Sequence, residues 1–189
     1  RSSDLQQGIV LYYLIAIVVA FLLLNLPFVH KPGVKVSPID TLFVAVSGIS
    51  VTGLTPVSII DTYSSFGQLI ILIILNIGGI GVMAIGTVLW VVLGKHIGMR
   101  ERQLIMLDNN KDTMSGTVKL IIEIVKTIMT IEIVGALLLA FYFYRDNPDL
   151  KNALMQGLFV SISATTNGGL DITGQSLVPY AKDYFVQTI

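Results

Sequence analysis

The chain has 189 residues, of which 53% are hydrophobic and 13% charged, with 12 basic side chains balanced by 12 acidic ones. Charged residues make up about a quarter of an ordinary soluble domain, so these proportions exclude one. A balanced charge with no basic tract also excludes a nucleic-acid surface, which needs clustered Lys and Arg. With no cysteine and two histidines, disulfides, thiolate metal sites and thiol nucleophiles are absent, and little is left for a zinc site or a His-based triad. An enzyme is not expected.

In chain order, residues 9–29 form a charge-free run of 21, about 30 Å long as a helix, which matches the hydrocarbon core of a bilayer. This predicts a first transmembrane helix, with Asn25 and Pro27 near its far end. Residues 37–56 are too polar to span. They open Ser37-Pro38-Ile39-Asp40, an N-cap hydroxyl, a first-turn proline and an acid suited to the helix dipole, and they end in a Gly/Ser/Thr cluster. A short helix that enters the membrane and turns back is expected. Residues 66–93 are a second charge-free run of 28, longer than a perpendicular span needs, so tilt or a break is expected. Gly78, Gly79, Gly81 and Gly86 within it suit close helix packing. Gly79-Ile80-Gly81-Val82-Met83-Ala84 matches a dinucleotide fingerprint only formally, because it lies inside a span and not in a strand-turn-helix unit.

Residues 94–119 carry Lys95, Arg100, Arg102, Lys111 and Lys119, which marks a cytoplasmic connecting loop and places the N-terminus in the cytoplasm. The same loop has Leu104, Ile105, Met106 and Leu107 as a candidate docking surface. Residues 120–144 give a third span, interrupted by Glu123, Lys126 and Glu132. Glu123 and Lys126 read as a helix-surface pair. Glu132, deeper in the span, reads as a structural ion pair or polar contact in preference to a role in coupling or gating. Tyr142, Phe143 and Tyr144 are expected in an outer aromatic belt, with Trp90 near the inner interface. His30 and His96 are expected in solvent. Residues 147–174 open Asn147-Pro148-Asp149, which predicts a second capped short helix by the logic applied to the first.

The two short polar segments are repeats. At an offset of 116, Leu, Phe, Val, Ser, Gly and Leu recur in register at six of 13 positions between residues 42–54 and 158–170. The unit is helix, re-entrant helix with a polar turn, helix. Irregular backbone at membrane depth is tolerated only where it is buried in protein or lines a watery cavity. A short helix ending in a turn presents its partial negative charge and a row of carbonyl oxygens there, which are the parts of a cation filter.

Ser50-Val51-Thr52-Gly53-Leu54-Thr55 and Thr165-Thr166-Asn167-Gly168-Gly169-Leu170-Asp171, with the stretch Asn76-Ile77-Gly78-Gly79-Ile80-Gly81-Val82-Met83, resemble the KtrB/TrkH/HKT superfamily of potassium transporters, nearest to the bacterial KtrB membrane subunits. The resemblance implies an all-α membrane fold of repeated helix, pore-loop, helix units, four of them in fourfold pseudo-symmetry around one pore. Residues 8–93 would be the first unit and residues 120–189 the second, cut short in its inner helix, so the sequence is read as the N-terminal portion of a longer polypeptide. The resemblance further implies potassium contacts at the backbone of Ser50, Val51, Thr52, Gly53, Thr166, Asn167, Gly168 and Gly169, with one filter glycine per loop at Gly53 and Gly169. Family members with serine at the first of these glycines tend to pass sodium, so Gly53 favours potassium. Where the family commonly has alanine and an aromatic, this chain has Gly168 and Leu170. Sodium stimulation, a homodimer and a cytoplasmic ring of nucleotide-binding regulatory subunits are implied in the same way, in the cell membrane and with no covalent cofactor. A non-conducting membrane scaffold is the alternative.

Overall fold

The computed structural model describes residues 2–81, 84, 117–146, 148–172, 178–184 and 186. Among them every regular element is helical: α1 Ser2–Leu24, a 3-10 turn Pro27–Val29, α2 Pro38–Ile49, α3 Ile59–Thr62, α4 Ser65–Ile80, α5 Thr117–Asp146, α6 Leu150–Thr165 and a 3-10 turn Val178–Tyr180. The protein is an all-α membrane fold. The basic loop and its apolar cluster, Trp90, His96 and Gly86 lie outside the described residues, apart from the start of α5 at Thr117.

Among the described residues two helices are long and apolar enough to cross a membrane, within residues 7–24 of α1 and 119–145 of α5. Leu11, Leu14, Val18 and Leu22 on α1, and Ile133, Leu137 and Phe141 on α5, stay exposed. A helix that is apolar all round and mostly uncovered finds its solvent in lipid. The first span ends five residues sooner than residues 9–29 predict. The Asn25 amide bonds back to the Phe21 carbonyl at 2.7 Å, and Pro27, which has no N–H to extend the ladder, opens the 3-10 turn. The chain then folds back: the backbone N–H of Ser64, the N-cap of α4, donates to the Val29 carbonyl at 2.9 Å.

His30 is also not in solvent. It bridges to Tyr63 in an isolated antiparallel pair, and the two rings stack with centroids 5.3 Å apart. Its Nε2 is buried and has no hydrogen-bond partner among the described residues. Tyr63 is fully buried, and burial, with a smaller contribution from Asp40, pushes its phenol up to about 12.

The first re-entrant helix starts as its sequence predicts. Ser37 is the N-cap, its side chain accepts from the Ile39 N–H at 3.3 Å, Pro38 is in the first turn and Asp40 follows. The second starts two residues later than Asn147-Pro148-Asp149 suggests. Asp149 is the N-cap, accepting from the N–H groups of Lys151 and Asn152, because a carboxylate two residues into the motif reaches two orphan donors at once.

α5 and α6 form an antiparallel hairpin in which small residues set the separation. A Cβ on Gly157 would fall 2.5 Å from the Ala136 carbonyl oxygen, and one on Gly135 would fall 2.6 Å from Ser161 Oγ. Phe143 is drawn inward by this packing. It is buried with Leu139, Ala153 and Val186 and stacks 5.2 Å from Tyr180, so of the expected belt only Tyr144 is exposed. Tyr142 is half-buried and donates its hydroxyl to Asp183.

α4 is the spine of the core. Ile70, Ile71, Leu72, Ile74 and Leu75 are buried in a cluster that also holds Val44, Ala45 and Ile49 of α2 and Phe159 and Ile162 of α6. The helix stops at Gly81, whose φ of 100° breaks the long apolar run where a break is expected.

Candidate functional site

Both re-entrant helices end in the same turn. Ser50 N–H bonds to the Val46 carbonyl at 2.8 Å, Val51 N–H to Gly48 at 3.4 Å and Thr52 N–H to Ser47 at 2.9 Å. At the offset of 116, Thr166 N–H bonds to Ile162 at 2.9 Å, Asn167 N–H to Ala164 at 3.2 Å and Gly168 N–H to Ser163 at 2.8 Å. This pattern, with its six-to-one and five-to-two bonds, is a Schellman termination, which requires a left-handed residue just past the helix. Those residues are Val51, φ 54°, and Asn167, φ 60°. Two positions further on, Gly53 and Gly169 are left-handed too, at φ 77° and 63°.

Asparagine takes this conformation with little penalty, whereas a β-branched valine strains against it by about 1–2 kcal/mol. Strain of that kind persists only where the surroundings fix it. Here Ser47 fixes it, accepting from the Leu54 N–H at 3.0 Å across the turn. Ser163, its repeat partner, donates to the Leu170 carbonyl at 2.9 Å. These two serines tie the far end of each turn back to its helix. They were not among the expected site residues, although serine recurs there in the repeat.

The turns are neighbours. A Cβ on Gly53 would lie 2.6 Å from the Gly168 carbonyl oxygen, and one on Gly169 would lie 3.5 Å from the Gly53 Cα. All eight expected site residues, Ser50 to Gly53 and Thr166 to Gly169, are thus gathered in two adjoining loops. Among the described residues none of their eight carbonyl oxygens accepts a hydrogen bond. The Gly168 N–H keeps its bond to Ser163, and Leu75 packs where a side chain would stand. A cavity of about 260 Å³ opens beside this turn, lined in part by Ser163, Asn167, Gly169, Leu170 and Asp171.

α4 holds both turns from behind, and its glycines explain how. A Cβ on Gly78 would fall 2.5 Å from the Gly48 carbonyl oxygen and 2.6 Å from that of Ile49, at the end of α2. Gly79 abuts Thr166, at the start of the second turn. The helix-packing reading of these glycines is therefore the structural one. One turn of one helix thus touches the termini of both short helices, at adjoining positions around its axis.

Glu132 of α5, 2% exposed, finds its partner on α4: Asn76 Nδ2 donates to Glu132 Oε2 at 3.1 Å. The expected polar contact is present. Lys126 instead pairs with Glu123 at 3.6 Å on the helix surface.

Two helices long and apolar enough to span a bilayer, beside two adjoining carbonyl-rich turns, fit an integral membrane protein. The comparisons with known proteins are more specific: residues 3–189 match the TrkH family, described as cation transport proteins, and the chain belongs to that family. It is 50% identical over 183 residues to Ktr system potassium uptake protein D of Bacillus subtilis, covering 97% of this chain and 41% of that protein. It is 34% identical over 156 residues to potassium/sodium uptake protein NtpJ of Enterococcus hirae, covering 82% and 34% respectively. Over 184 residues it is 32% identical to Ktr system potassium uptake protein B of Bacillus subtilis, covering 97% and 40%. The chain spans about two fifths of the length of these relatives or less.

Proposed function

We propose that these residues supply two of the four pore loops of a potassium uptake protein. Ions descend their electrochemical gradient between the loops, shedding water onto the backbone carbonyls of residues 50–53 and 166–169. The observation that carries the reading is the pair of matching turns, whose carbonyls accept no hydrogen bond among the described residues. Oxygen atoms left without donors inside a membrane protein are costly unless something replaces those donors, and a dehydrated cation does so. The 50% identity to a potassium uptake protein supports potassium as the ion.

The same reading includes two further units in the full chain, fourfold pseudo-symmetry about the pore and a cytoplasmic N-terminus in the cell membrane. A homodimer seated on a ring of nucleotide-binding regulatory subunits belongs to it too, as does stimulation by sodium. The competing reading is a non-conducting scaffold in which the turns only pack.

The test is rubidium and sodium uptake by cells lacking their own potassium uptake systems and expressing the full-length chain, with and without Gly53→Ser. The expected result is uptake that favours rubidium and loses that preference in the variant. A protein that reaches the membrane with its regulatory partner and moves neither ion would establish the scaffold reading instead.

A further inference from the structure

We infer that Glu132 is a positioning residue for ion selectivity, clamping the second turn to α4 through a hydrogen-bonded circuit. The inference rests on the filter reading above and assigns a selectivity role to side chains that never touch the ion.

The circuit runs through three helices. Asn76 Nδ2 on α4 donates to Glu132 Oε2 on α5 at 3.1 Å. The Glu132 carbonyl accepts from Ser161 Oγ on α6 at 2.9 Å, and the Ser161 carbonyl accepts from Thr165 Oγ1 at 2.8 Å. Thr165 is the last residue of α6. Next to it Thr166 packs on Gly79, which is three residues along α4 from Asn76 and so on the same helix face. The circuit therefore closes on the first residue of the second turn. Gly135, one turn along α5 from Glu132, keeps Ser161 in reach, since a Cβ there would fall 2.6 Å from its Oγ.

No comparable side-chain link to another helix supports the first turn among the described bonds: the Ser50 and Thr52 hydroxyls bond to each other, and Ser50 Oγ also donates to the Val46 carbonyl, all within one segment. The first turn is held by direct contact of α2 with Gly78 of α4. The second has a polar side-chain link in addition to its direct contact with Gly79 and Leu75 of α4. A polar contact buried to this degree is costly to break on one side, because the remaining group loses its partner without regaining water. Loosening it lets the α6 terminus shift, and carbonyls that set a cation's coordination distance lose their discrimination before they lose conduction.

The test uses the full-length chain with its regulatory partner, reading rubidium uptake, sodium competition and membrane abundance together. Glu132→Gln keeps an acceptor for Asn76 and is expected to stay within about twofold of the unaltered protein. Glu132→Ala and Asn76→Ala are each expected to lower the preference for rubidium over sodium by about tenfold while maximal uptake falls less. The double variant is expected to be no worse than either single one, as two halves of one interaction require. Ser161→Ala, which removes little volume, serves where Glu132→Ala fails to accumulate, and is expected to shift selectivity in the same direction. Unchanged selectivity in Asn76→Ala and Ser161→Ala at normal abundance would overturn the inference, and so would Glu132→Gln as damaging as Glu132→Ala. Failure of the filter reading is seen separately, as an unaltered protein with no ion preference or a Gly53→Ser variant that keeps it.

Discussion

Gly53→Ala is expected to abolish most of the preference for potassium over sodium, whereas Gly169→Ala weakens it. Both glycines are left-handed, at φ 77° and 63°, so a side chain at either costs about 1–2 kcal/mol of backbone strain. The space around them differs. The new methyl at Gly53 would stand 2.6 Å from the Gly168 carbonyl oxygen, a backbone atom that moves only with its loop, whereas at Gly169 the nearest atom is the Gly53 Cα at an ordinary 3.5 Å. One substitution strains its own turn and the other displaces both. Since about 1.4 kcal/mol is a tenfold change in an equilibrium preference, Gly53→Ala should cost tenfold or more in the rubidium-to-sodium uptake ratio and Gly169→Ala distinctly less. Equal losses, or the reverse order, would contradict this arrangement of the loops.

Gly78→Leu is expected to act on the fold itself. Its Cβ would meet the Gly48 and Ile49 carbonyl oxygens at 2.5 and 2.6 Å, atoms of the helix terminus that cannot rotate away as a side chain does. Either α2 separates from α4 or the variant does not assemble. Overpacking of this kind costs about 1–3 kcal/mol, and the thermal midpoint of the detergent-purified full-length protein should fall accordingly. Ile73→Leu, at a position of α4 exposed by 58%, should leave it unchanged. A Gly78→Leu protein of normal stability would show that α4 does not bear on the end of α2 as described.

The architecture was legible where a local pattern carries it. Long apolar runs gave the two spans of α1 and α5, Ser37-Pro38-Ile39-Asp40 gave the start of α2, and the register at an offset of 116 paired the two turns. The turns' hydrogen bonds repeat in that register because their length and end residues do. What escaped the sequence depends on neighbours distant along the chain. Asn76 and Glu132 are 56 residues apart, and nothing in the neighbourhood of either names the other. Phe143 shares its aromatic character with Tyr142 and Tyr144, and only α6 and Tyr180 decide which ring turns inward. His30 lies just past a membrane span, where exposure is the usual outcome, yet the chain's return at Val29 stacks it on Tyr63. Val51 is the sharpest case. Local preference argues against a left-handed valine, and the conformation is imposed by the helix terminus before it and the Ser47 bond after it.

The central claim is that a potassium ion sits between the two turns on their carbonyl oxygens. The most direct measurement is an anomalous difference map from crystals of the full-length protein grown in thallium or rubidium in place of potassium. Peaks on the pore axis beside residues 50–53 and 166–169, absent when sodium is the only monovalent cation, are the predicted result. A fully ordered filter region with no peak there, or peaks confined to side-chain carboxylates elsewhere, would contradict it.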